Sequence, residues 1–84
     1  MENKYILESL SSDLKRVAIG LYRGSNTMAN RFLIEALKRK KELNQEKLAP
    51  YIQKILNNIN TNIDSEKALM YSTLLQNYTI NKTF

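Results

Sequence analysis

Between Lys4 and Tyr22 the apolar residues Leu7, Leu10, Leu14, Val17 and Leu21 recur at intervals of three, four, three and four. That spacing returns every side chain to one face of a helix and does not fit the two-residue period of a strand. It therefore predicts a helix over residues 4–22, carrying an a/d seam that other helices must cover. Ser9, Ser11, Ser12, Asp13, Lys15 and Arg16 fall off the seam and are assigned to solvent. Ser11 and Ser12 are good N-caps, so a helix broken into 4–10 and 12–22 is the alternative, but the unbroken seam favours one helix. Gly24 marks its end, because glycine readily takes the left-handed conformation that closes a helix.

The rest of the chain extends the pattern. Ser25 or Asn26 caps a second helix, 26–43, on which Phe32, Leu43, Ala36, Ala29, Leu33 and Leu37 fill one continuous arc. An arc of roughly 200° suggests contact with more than one neighbour, and Phe32, Leu33, Ala36 and Leu37 are expected to form the hub of the fold. Pro50 cannot sit inside a helix without removing a hydrogen bond, so a short helical turn at 45–49 and a third helix over 50–60 are expected, with a single kinked helix as the alternative. Its core stripe is Leu48, Ile52, Ile55, Leu56 and Ile59. Asp64 is a strong N-cap for a fourth helix, 64–78, with Ala68, Tyr71, Leu74, Leu75 and Tyr78 assigned to the core and Met70 as filler. Residues 79–84 favour extended backbone and are read as a frayed tail.

Four amphipathic helices with short connections make residues 1–84 a single all-α domain, a small antiparallel helical bundle. Two glycines and one proline are too few for the frequent turns of an all-β chain. The apolar residues exceed what one thin four-helix core hides, so self-association is expected, with a two-fold homodimer as its commonest form.

Function is constrained mainly by what is missing. The chain has no histidine, cysteine or tryptophan. Acid–base catalysis near neutrality would need strongly shifted Asp, Glu, Lys or Tyr groups. The carboxylates form no spaced pair, Glu42 and Glu46 being separated by a helix boundary. Neither a glycine-rich phosphate loop nor a HExxH zinc motif occurs, and the soft and nitrogen ligands that transition metals favour are absent. The expectation is a non-enzymatic chain with no catalytic residue, no metal and no cofactor. No apolar run reaches the roughly 18 residues of a membrane span. No signal peptide is recognisable at the N-terminus, so the cytoplasm is the expected compartment.

The charge is concentrated. Of a net +5, Lys38, Arg39, Lys40 and Lys41 contribute four. These four cations, with Arg31, are the candidate binding site for a protein partner or for phosphate. They span a full helical turn and radiate rather than line one face, which suits a diffuse anionic surface better than base reading. Cations near a helix C-terminus also offset its macrodipole, by about 0.3–1 kcal/mol each. Lys40 is the odd member, since it projects into the apolar arc. Either its stem lies along the core edge or the last turn runs past the body of the protein.

Two further patterns bear on nucleic acid. The run Leu43–Ala49, LNQEKLA, resembles the opening of the first helix in repressor-type helix-turn-helix domains. The turn those domains use is replaced here by Pro50-Tyr51-Ile52, and apolar residues stand where recognition residues would. Tyrosines at 5, 22, 51, 71 and 78 would form a base-stacking platform if several were exposed together. The favoured reading is a self-associating interaction module that binds another protein. A nucleic-acid-binding regulator using residues 38–41 is the alternative.

Overall fold

The structure is a computed structural model and describes residues 2–82. Four α-helices follow one another: α1 (Asn3–Tyr22), α2 (Asn26–Glu42), α3 (Pro50–Asn57) and α4 (Ser65–Asn81). A single 3-10 turn, Gln45–Lys47, lies between α2 and α3, and no strand occurs among the described residues. The all-α bundle expected from the periodicity is what the chain forms.

Helix α1 is continuous through Ser11 and Ser12. Its seam residues Leu7, Leu10, Leu14 and Val17 are completely buried. The helix ends in a Schellman closure, with Gly24 at φ +74. The Ser25 amide donates to the Gly20 carbonyl at 2.8 Å and the Gly24 amide to the Leu21 carbonyl at 3.2 Å, satisfying carbonyls that a helix end leaves open. The chain then reverses, and α2 runs back along α1. At the far end the Asn3 side chain grips the Asn44 backbone, donating to its carbonyl at 2.9 Å and accepting from its amide at 3.0 Å.

The hub is α1, not α2. It packs against both α2 and α4, which flank it on opposite sides. Phe32 and Leu37, expected at the centre, are only partly buried. Because α1 has two neighbours, its buried face is wider than the seam, and Ser11 and Asp13, assigned to solvent, are buried. Ser11 lies against Ser72 of α4, each hydroxyl donating to the other residue's backbone carbonyl, at 2.8 and 2.7 Å. These reciprocal bonds let two helices meet closely without leaving a hydroxyl unsatisfied.

Small residues set the other contact of α1. A Cβ placed on Gly20 would lie 2.9 Å from the Ala29 backbone nitrogen, so the two helices meet backbone to backbone at this crossing. A glycine inside a helix costs about 1 kcal/mol relative to alanine. Here the close approach of α2 explains its presence.

The α2–α3 connection is separate elements rather than one kinked helix. Pro50 occupies the first turn of α3, where its missing amide costs nothing. Gln53 folds back to donate to the carbonyls of Gln45 and Leu48, at 2.7 and 2.9 Å, and holds the turn against α3. The LNQEKLA run is thus a 3-10 turn flanked by extended residues and does not open a helix.

Two boundaries differ from expectation. Helix α3 stops at Asn57 rather than near 60, and the Asn60 side chain then accepts from the Asn62 amide at 2.9 Å in an Asx turn. Helix α4 starts where expected, Asp64 capping the Lys67 amide at 2.7 Å, but continues to Asn81. Thr79 is buried and its hydroxyl donates to the Gln76 carbonyl at 2.7 Å, so 79–81 are helix rather than the start of a frayed tail. Residues 83–84 of that expected tail lie outside the described residues.

Candidate functional site

The basic cluster at the end of α2 is divided by the fold. Arg39 turns towards α1, its Nε donating to the Asp13 carboxylate at 2.9 Å. Lys40 follows the core edge, and its Nζ donates to the Ile59 carbonyl at 3.2 Å in the loop after α3. Lys38 faces solvent 3.8 Å from Glu35, a separation at which an exposed pair contributes little. Lys41 is exposed and makes no ion pair among the described residues. Arg31 stands about two turns away with its guanidinium 6.0 Å from the Phe32 ring centre, and Arg16 of α1 lies 5.3 Å from the same ring. The sequence groups five cations, of which the fold leaves Arg31, Lys38 and Lys41 exposed.

Asp13 is the group with the clearest electrostatic signature. Burial pushes its carboxyl above the ordinary value of 3.8, and the hydrogen bond and charge of Arg39, helped by Arg16, offset this in part. A carboxyl whose native pKa is raised favours folding below its unfolded pKa and loses that contribution as pH rises through the native value. Asp13→Asn keeps an acceptor for Arg39 and removes the buried charge. Its stability relative to the parent is expected to be higher at pH 7 than at about pH 3, where the parent carboxyl is neutral in both states. Urea unfolding at the two pH values measures this, and a difference independent of pH would contradict the assignment.

The tyrosines do not assemble into a platform. Tyr71 and Tyr78 are buried. The Tyr78 hydroxyl accepts from the Ala49 amide at 3.3 Å, and its ring meets Tyr51 edge to face at 5.9 Å. Tyr5 and Tyr22 are exposed but near opposite ends of α1, about 25 Å apart at the rise of a helix.

The feature that periodicity did not identify is the outer face of α4. The buried set is Ala68, Tyr71, Ser72, Leu75, Tyr78 and Thr79. Leu74 and Met70, expected in or against the core, are exposed, as are Leu69 and Ile80. From Ala68 to Asn81 the helix carries no charged residue. At 100° per residue Leu69 and Ile80 fall on one flank of the outward face, Met70 and Leu74 on the other, with Thr73 and Asn77 between. Beside the first flank is a mainly apolar cleft of about 400 Å³, lined by Ala18, Ile19 and Tyr22 with Leu69 and bordered by Arg23 and Glu66. Beside the second, Tyr51 and Leu74 line a shallower depression of about 320 Å³. The signal available in the sequence was the uncharged run 68–81, because an ordinary surface helix places charges on its wet side.

Among the described residues no three acidic side chains converge in a group able to hold a metal ion. No helix among the described residues is long and apolar enough to cross a membrane. No protein-family model, no curated protein and no solved structure matches the chain.

Proposed function

We propose that this chain is a non-enzymatic α-helical interaction module that self-associates and binds another protein, and that its binding surface is the outer face of α4. The observation that carries the reading is the exposure of Leu69 at 51%, Met70 at 49%, Leu74 at 39% and Ile80 at 69% on the stretch of α4 that carries no charge. Scattered apolar residues on a surface need no explanation, but four on the outward side of one helix, in two pairs flanking Thr73 and Asn77 and each beside a cleft, support a contact site. Tyr22 and Tyr51, both exposed, border the strip, and aromatic residues are enriched in protein interfaces.

A photo-crosslinking side chain at position 70 or 74, introduced in the cell of origin, tests this. Discrete adducts are expected at those positions and none at Lys54, an exposed residue of α3. An adduct of twice the 9.8 kDa chain mass identifies a second copy, and any other mass identifies another protein. Absence of adducts at both α4 positions would overturn the reading. The nucleic-acid alternative rests on Arg31, Lys38 and Lys41, the exposed members of the cluster. Three phosphate contacts predict a log–log salt slope of about −3 on duplex DNA. Such binding, weakened by Lys38→Gln with Lys41→Gln, would put this alternative first. Those two positions are the right ones to change, because Arg39→Gln and Lys40→Gln would also disturb Asp13 and Ile59.

A further inference from the structure

We propose that the outer face of α4 pairs with the same face of a second copy, the two helices antiparallel across a two-fold axis near Thr73. The inference rests on the reading of this face as a contact surface and goes on to fix its occupant and orientation.

The first argument is charge. Two copies of a chain carrying +5 repel one another. The stretch Ala68–Asn81 lets them approach without opposing cations, since it contains no charge. The second argument is how that stretch ends. Asp64 and Glu66 are exposed at its N-terminal end, next to the cations Lys67 and Arg23, whereas Lys82 stands at its C-terminal end with no exposed acid on the helix nearby. Antiparallel pairing sets Lys82 of each copy beside Asp64 and Glu66 of the other, at both ends at once. Parallel pairing would oppose like charges and align the two helix dipoles unfavourably.

The third argument is shape. A two-fold contact must be self-complementary. Thr73 is the middle residue of the 17-residue helix, so it faces its own copy, and the Leu69–Ile80 and Met70–Leu74 flanks lie to either side. Antiparallel pairing carries Ile80 of one copy towards the cleft bordered by Tyr22 and Leu69 of the other. A strip about 25 Å long and 10 Å wide is short of the roughly 800 Å² per partner of a standard interface. The dimer therefore lies at the weak end, dissociating at micromolar concentration or above, with Tyr22 and Tyr51 at the clefts beside the strip.

Sedimentation equilibrium of the full chain, up to about 1 mM, provides the test. The parent is expected to form dimers. Thr73→Arg places two like charges on the axis and should raise the dissociation constant at least about tenfold, as 1.4 kcal/mol of repulsion would. Among the described residues the exposed Thr73 hydroxyl bonds only the Leu69 carbonyl of its own helix, so the variant should fold, which its circular dichroism and melting curve verify. Lys82→Glu should weaken the dimer, and adding Glu66→Lys should restore it, a rescue that parallel pairing cannot produce. A monomer at the highest concentration overturns the proposal, and so does a dimer indifferent to Thr73→Arg. Crosslinks from positions 70 and 74 to a different protein would then leave the α4 surface standing with another occupant. A missing rescue overturns the antiparallel arrangement.

Discussion

Replacing Leu14 by alanine is expected to destabilise the chain by about 2–5 kcal/mol. Leu14 is completely buried on the central helix, in the same cluster as Leu10, Val17, Leu56 and Leu75. Truncation removes the favourable transfer of its side chain from water and leaves a cavity that helices on both sides of α1 are ill placed to fill. Domains of this size hold only about 5–10 kcal/mol of stability in total, so one such change takes a large share of it. Each kcal/mol lowers the melting temperature by about 4–8 °C in a 60–100-residue domain. Thermal unfolding of Leu14→Ala should therefore show a midpoint about 10 °C or more below the parent. The same truncation at Leu74, which faces outward, should cost within about 0.5 kcal/mol in dilute solution. Equal losses at the two positions would mean that the core is misassigned.

Gly20→Ala is the second large effect, and its direction is opposite to intrinsic propensity. In an isolated helix the change would gain about 1 kcal/mol. In this fold the new methyl would sit 2.9 Å from the Ala29 nitrogen and 3.1 Å from its Cα, both backbone atoms that cannot rotate away. Helix α2 must shift outward, at a net cost of about 1–3 kcal/mol. Gly24 provides the contrast, having open space around its Cα but a φ of +74. There alanine costs about 1–2 kcal/mol through backbone strain, and asparagine, which tolerates the left-handed region, costs less. At Gly20 the order reverses, asparagine being worse than alanine because it is larger. Chemical denaturation of the four single variants reads both orders, and a tolerated Gly20→Asn would contradict the close crossing.

The parts of this fold that were legible in the sequence are local. The heptad seam of α1, the closure at Gly24, the proline in the first turn of α3 and the cap at Asp64 each depend on atoms a few residues apart. Their physics is complete within a short window. Lys40 shows where that window ends. Its position inside the apolar arc marked it as anomalous, but its acceptor, the Ile59 carbonyl, is 19 residues away. The Asp13–Arg39 pair spans 26 residues and Ser11–Ser72 spans 61. A polar residue beside a seam reads as solvent-facing until a second neighbour covers it.

The basic cluster was visible as composition, yet how many of its cations stay free depended on partners brought by folding. The α4 face was harder still. Its apolar spacing placed Leu74 in the core stripe, and only the packing of Ser72 against Ser11 of α1 turned Leu74 outward.

By itself, then, the sequence determined that this chain forms helices, where most of them begin and end, and that one uncharged segment lies near its C-terminal end. Those properties follow from propensity, capping and hydrophobic spacing, which act over one or two turns. Tertiary structure alone decided that α1 is the central helix, that Arg39 and Lys40 are tied into the fold, and which side of α4 faces outward. Each of these depends on which surfaces meet, and packing couples residues according to distance in space rather than along the chain.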